Sequence, residues 1–407
     1  MARASLAKVA DLQGAGRYRV IPFYMDKFFW SLCGLVAPAT LLAQGAAEAP
    51  PTPSAANTGA LKEVQIISPD DLRSVTGIDM SADGKFLYTA AFNSSNVTTF
   101  SRDPETGTLT MVNATTSPDL SAAVSVRLSR DSTLAAAAAF GSNAVTLFGR
   151  NAEDGKLTIL DSVRHVDGED DGLGFAIDAR LSPDNRYLYT GSSGGVGVYK
   201  VEAGKLSLVE SQSAGGQIAG LRAAVLSPDG KYLYAAGASS GNVGVFGRDE
   251  TSGKLTVIQV LQDGVDGVET LEGAFRIACS PDGKHVYVSS GRFGGDQAIT
   301  VFKVEADGKL QLIETRVNGS GDFEGFEGGN DIKVSNDGKY VYALGTLSDR
   351  LVRFQRDAES GKLTFLGSQP VGHHATPGAA GLTFSPDNKF VYVADEDANE
   401  VVVYQQP

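Results

Sequence analysis

From residue 59 onward, apolar and polar positions recur in a fixed order. Each unit begins with a short apolar run, then a polar turn of the form Ser-x-Asp, then a second run rich in Val, Ile, Tyr and Phe. The turn begins at Ser81, Ser129, Ser182, Ser227, Ser280, Ser335 and Ser385. Its best-formed copy is Ser227-Pro228-Asp229-Gly230-Lys231-Tyr232-Leu233-Tyr234. Asp accepts hydrogen bonds from the backbone two residues on, and Gly supplies a positive φ, so the motif reads as a tight turn. Around it the pattern predicts four strands per unit. In the fifth unit strand A is Phe275 to Cys279, B is His285 to Ser289, C is Ala298 to Val304 and D is Leu310 to Thr315. Four short antiparallel strands repeated about every 50 residues are a propeller blade.

A second marker, Gly-x-Leu, opens strand D at Gly107, Gly155, Gly204, Gly253, Gly308 and Gly361. Seven Ser-x-Asp turns are thus followed by only six internal hairpins. The missing one stands at the start, in Thr58-Gly59-Ala60-Leu61-Lys62-Glu63-Val64-Gln65-Ile66-Ile67. The prediction is an all-β, seven-bladed propeller of four-stranded antiparallel blades, spanning 58–407. Its last blade is closed by the N-terminal strand, which pairs edges otherwise left open.

Ahead of the repeats the pattern changes. Phe28 to Ala43 is an apolar run preceded by Lys27. As a helix it would span about 24 Å, short for a bilayer core of ~30 Å. Small residues follow it, so residues 1–45 read as a signal peptide with an upstream extension, and Met25 as an alternative start. Residues 46–57 are rich in Ala, Pro and Ser and read as a flexible linker. The expected location is secreted or periplasmic, with no membrane span after signal cleavage.

Charge narrows the partners. The 407-residue chain carries a net charge of −13, which disfavours nucleic acid and anionic membrane surfaces. After signal removal Cys279 is the remaining cysteine, so no internal disulfide forms. It occupies a strand position where sister units carry Leu, Val or Phe, and reads as core.

In a propeller strand A lines the central channel, and the D-to-A links and B-to-C loops share one rim, here called the top. Four residues before each marker Ser, the channel-facing positions include Asp178, Arg276 and Asp331. Two before it stand Asp79, Arg127, Arg180 and Lys333. These charges either pair with one another as a plug or form an anion or lactone site. In the second case Asp178, Arg180, Arg276 and Asp331 are the catalytic candidates, with Arg holding a carboxylate or carbonyl and Asp acting as base. Asp79, Arg127 and Lys333, with His165, His373 and His374 in the links, are the ligand-binding candidates. Three links are long, acidic and glycine-rich. Their Asp167, Glu169, Asp170, Asp266, Glu269 and Glu327 either solvate the rim or hold Ca²⁺, the candidate cofactor. His285 replaces Tyr or Phe of sister units and reads as structural. The sequence contains no Gly-x-Ser-x-Gly elbow, His-Glu-x-x-His, Cys-x-x-Cys or phosphate loop.

Residues 227–234, Val243-Gly-Val-Phe-Gly-Arg-Asp249 and Thr251-Ser-Gly-Lys-Leu255 resemble the β-propeller lactonase family, which includes 6-phosphogluconolactonase and carboxymuconate-cyclizing enzymes. The resemblance covers roughly residues 59 to 405, is closest to exported bacterial members, and implies seven four-stranded blades. It also implies lactone chemistry, which in that family involves a strand-A His about four residues before the turn. Here no unit has His at that place. Two functions therefore stand side by side. One is an exported binding module whose acidic top takes a small or carbohydrate-derived ligand, a cation or a protein. The other is a lactonase-like enzyme, hydrolysing or forming a sugar-acid or aromatic-acid lactone in the channel.

Overall fold

The computed structural model describes residues 60–407 apart from 375 and 376. The expected signal segment and linker lie outside them. Seven four-stranded antiparallel sheets form, each in the order A-B-C-D. Strand A of each blade packs beside strand A of the next, and that of blade seven packs beside that of blade one. The ring closes as the marker count requires. Lys62–Ile67 pairs with Glu400–Gln405, from Lys62 opposite Gln405 to Ile67 opposite Val401, with a bulge between Glu63 and Gln65.

The Ser-x-Asp turn is held the same way in every blade. The Ser hydroxyl donates to the Asp carboxylate, as in Ser227–Asp229 at 2.6 Å, and accepts the amide five residues on. Each turn's fourth residue has positive φ, Gly in four blades and Ser132, Asn185 or Asn388 in the others. Ser and Asn tolerate that conformation at some cost.

Blades are joined by two devices. The first is an apolar plug from each D-to-A link: Leu72, Leu120, Leu173, Ile218, Leu271, Phe326 and Val371 are all buried between sheets. In the first six links the plug lies nine residues before the marker Ser. The second is a latch on the bottom face. Tyr88, Tyr189, Tyr287 and Tyr392 of strand B each donate to a carbonyl of the next blade's hairpin, at Gly155, Gly253, Gly361 and Gly107. Each hydroxyl also accepts from an Arg at the end of the next blade's strand C: Arg150, Arg248, Arg356 and Arg102. These arginines are largely buried, so their fully bonded state matters to stability. At the ring closure this latch joins blade seven to blade one.

Cys279 packs among the core side chains between blades four and five, and burial raises its thiol to about 12. His285 is buried against Gly361, with its Nδ1 2.7 Å from Arg356 Nη2. Both occupy the structural positions the repeat assigns them.

Candidate functional site

Strands A surround the channel without hydrogen-bonding to one another as sheets, so their inner polar groups need side-chain partners. The strand-A aspartates supply them. Asp79 accepts the Leu128 amide at 2.9 Å, Asp178 the Ala224 amide at 3.3 Å and Asp331 the Leu382 amide at 2.9 Å, each on the next blade. Asp178 is also clamped between two guanidiniums, with Arg180 Nε at 3.0 Å and Arg127 Nε at 3.4 Å. Burial opposes its charge, but Arg180, Arg127 and Arg276 prevail and hold the carboxyl at about 2. Arg127 in turn donates to the Ile78 carbonyl at 3.1 Å. Asp178, Arg127 and Arg180 thus form one ionic staple. Lys333, half-buried, is pushed down by burial while Asp79 favours its charge.

Arg276 stands apart from this staple. It makes no ion pair within 4 Å among the described residues; its Nη1 donates to the Arg222 carbonyl at 2.6 Å. Arg222 was not among the residues singled out from the sequence, and a bulge explains why. Strand A of blade four (Leu221–Leu226) shifts register between Leu221 and Ala223, and that of blade five (Ala274–Cys279) between Ala274 and Arg276. An extra residue at each place, Arg222 and Phe275, breaks strict alternation. Burial and the neighbouring Arg276 charge lower Arg222 to about 10. Burial lowers Arg276 as well.

Aromatic rings back these cations. Arg276 Cζ lies 4.8 Å from the Phe275 ring centre, and Arg222 Cζ 5.6 Å from that of Phe293. The two rings meet edge-on at 5.4 Å. Phe293 belongs to the B-to-C loop of blade five and is 44% exposed. Beside it Arg292, 5.1 Å over the same ring, reaches Glu396 of blade seven at 3.3 Å. Burial pushes the Glu396 carboxyl above its ordinary range. Arg276, Phe275, Arg222, Phe293, Arg292 and Glu396 are therefore one continuous patch at the channel mouth, able to grip an anion or a polarised carbonyl against an apolar wall.

The acidic links behave otherwise. Asp167, Glu169, Asp170, Asp266, Glu269 and Glu327 are all exposed, and among the described residues they join no group of converging metal-ligating atoms. The plugs Leu173, Leu271 and Phe326 point inward and leave the carboxylates outside. His165 is bound locally, its Nδ1 2.8 Å from Asp171 Oδ1. His373 is exposed beside Glu63 at 3.1 Å. His374 is brought together with Asp349, Asp395 and Glu400, a grouping the spacing did not reveal because the three acids lie in two B-to-C loops and at their strand ends.

The family described as lactonase, seven-bladed β-propeller, matches residues 53–170, 142–265 and 296–406. A 6-phosphogluconolactonase of Klebsiella pneumoniae is 27% identical over 206 residues, 50% of this chain and 60% of that protein. One from Serratia proteamaculans is 28% identical over 38% of this chain and 44% of its own length. The chain thus spans about half the length of these curated relatives. A solved Lactobacillus plantarum protein superposes with a TM-score of 0.60 at 27% identity, covering 73% of this chain and 85% of that one. The periplasmic gluconolactonase of Pseudomonas aeruginosa gives a TM-score of 0.60 at 23% identity, with the same coverage. With the seven sheets, the ring closure and a family match over most of its length, this chain belongs to the lactonase family of seven-bladed β-propellers.

Proposed function

We propose that the protein binds and hydrolyses a sugar-acid lactone at the channel mouth. The observation that carries this reading is the pair of half-buried guanidiniums from adjacent strands A, Arg276 and Arg222, with Arg276 in no carboxylate ion pair within 4 Å among the described residues. Hydrolysis adds water to the ring carbonyl, breaks the ring C–O bond and releases a carboxylate. Negative charge grows on the carbonyl oxygen and stays on the product, and two fixed guanidiniums stabilise both. Glu396, raised by burial and oriented by Arg292, is the general base for the water. The Asp178 carboxyl, held at about 2, serves as the counter-ion of Arg127 and Arg180.

The names of the relatives support a gluconolactone as the first substrate to test. A panel of δ- and γ-aldonolactones, free and 6-phosphorylated, should be opened faster than in buffer, as followed by acid release. Arg276→Ala should cut kcat/KM at least 100-fold and Glu396→Gln mainly kcat. A wild-type protein inert on the whole panel rejects hydrolysis.

The second reading is a binding module, favoured by the saturation of the three strand-A aspartates, which leaves the channel itself without a ready base. Calorimetric binding of an aldonate without lactone turnover would select it, and a protein partner at the acidic top would be found by the same module. Export to the periplasm or medium belongs to both readings, supported by the apolar run Phe28 to Ala43. Fractionation of expressing cells tests it.

A further inference from the structure

The spacing from plug to marker breaks once, in the link leading into blade seven. There the apolar plug, Val371, lies fourteen residues before the marker Ser385, and the extra length carries His373 and His374. At this break, groups from three segments of blades six and seven meet. Asp349 comes from the loop between strands B and C of blade six. Asp395 ends Phe390–Asp395 and Glu400 begins Glu400–Gln405 in blade seven. His374 Nδ1 lies 3.8 Å from Asp349 Oδ2, and its Nε2 lies 3.4 Å from Asp395 Oδ2 and 3.3 Å from Glu400 Oε1. One ligand atom each from Asp349, His374 and Asp395 falls within 4.8 Å of the others.

An independent feature points to a missing group. Asp395 is 0% exposed. Its Oδ1 accepts the Ala398 amide at 2.8 Å, yet its Oδ2, turned to the imidazole, receives no hydrogen bond from the described residues. A buried carboxylate oxygen without a donor is costly and needs an explanation, and a bound cation is one. Close packing leaves little freedom around it: a Cβ on Gly378 would stand 2.3 Å from Asp395 Oδ1, and one on Gly372 2.6 Å from Glu400 Oε1.

We propose that Asp349, His374 and Asp395, with Glu400 beside the imidazole, form a site for one divalent cation of the Zn²⁺ or Mn²⁺ kind. Metal–ligand bonds of about 2.0–2.2 Å require ligand atoms roughly 3–4.3 Å apart, so the cluster needs only slight tightening. One imidazole with carboxylates suits these ions, whereas Ca²⁺ takes oxygen ligands alone. Bound there, the cation ties the link into blade seven to both flanking blades. The channel guanidiniums take no part, so this site stands or falls independently of the lactone reading.

The test is calorimetric titration of the full chain, stripped with EDTA and desalted, with ZnCl₂, MnCl₂ and CaCl₂ in turn. One equivalent of Zn²⁺ or Mn²⁺ should bind, at least tenfold more tightly than Ca²⁺, and raise the melting temperature by several degrees. Asp395→Asn and His374→Ala should each weaken binding at least tenfold. His373→Ala, which removes the exposed neighbouring imidazole, and Arg276→Ala should leave it unchanged. Should one variant fail to fold, Glu400→Gln replaces it. Binding no tighter than millimolar, a preference for Ca²⁺, or affinity untouched by the ligand variants overturns the site. The buried carboxyl would then be held by a proton shared with Asp349.

Discussion

Asp178 and Asp395 are both buried aspartates at the top of the same ring, 1% and 0% exposed, and their surroundings drive them in opposite directions. Asp178 faces Arg180, Arg127 and Arg276, and its carboxyl is held at about 2. Asp395 is pushed up to about 7, by burial first and then by Asp349 and Glu400, with His374 the only opposing charge. Burial is shared, so the sign is set by the neighbours' charge. The top face is therefore divided. Between blades two and five guanidiniums prevail and an anion is welcome; at the seam of blades six and seven carboxylates prevail and a cation is.

The sharpest way to break this comparison is to make parallel changes at both places. Asp178→Ala leaves the buried Arg127 and the half-buried Arg180 without their counter-ion and should destabilise the fold by about 3–5 kcal/mol. Asp395→Asn in metal-free protein removes one charge from a crowded acidic seam, so its stability should hold or rise. Guanidinium unfolding at pH 7 with EDTA measures both. Equal losses at the two sites would mean that burial, not neighbouring charge, governs them.

A smaller effect comes from pH. The folded Asp178 carboxyl titrates at about 2, below the ordinary aspartate value of about 4. The unfolded chain takes up the proton first on acidification. The stabilisation is therefore complete above about pH 4 and is lost as pH falls through about 2. The shift corresponds to roughly 2 kcal/mol. The stability gap between wild type and Asp178→Asn should narrow by about that amount between pH 5 and 2. A gap independent of pH would show that Asp178 carries no such charge in the folded ring.

How much of this was written in the sequence depends on whether a feature repeats. The Ser-x-Asp turn is held by bonds internal to each unit, so its seven copies announced seven blades, and the missing Gly-x-Leu announced the strand exchange. The strand-A charges were also found by alternation. Arg222 was missed because a bulge at Leu221/Ala223 breaks that alternation. The acidic links drew attention as a cation site, yet their informative residue is the apolar one nine positions before the marker, which turns the carboxylates outward. Asp349, Asp395 and Glu400 were invisible because they lie at the B-to-C loops of consecutive blades and meet His374 only where blades six and seven pack together. The one legible hint was the irregular length of the seventh link.

The smallest predicted effect applies the same logic, like residues in unlike company, to the latch tyrosines. Tyr392 and Tyr234 hold the same repeat position, seven residues after the marker Ser. Tyr392 donates to Gly107 at 2.9 Å and accepts from Arg102 at 2.6 Å. The blade after Tyr234 ends its strand C with Val304 instead of Arg, and the Tyr234 hydroxyl is buried without a hydrogen-bond partner among the described residues. Tyr392→Phe should therefore cost roughly 1 kcal/mol or somewhat more, because it strands a buried guanidinium nitrogen and a carbonyl. Tyr234→Phe should cost nothing, or stabilise, since it removes a hydroxyl that folding leaves unsatisfied. The two melting curves side by side decide it. If they shift together, these hydroxyls are read by the repeat position alone and not by what the next blade offers them.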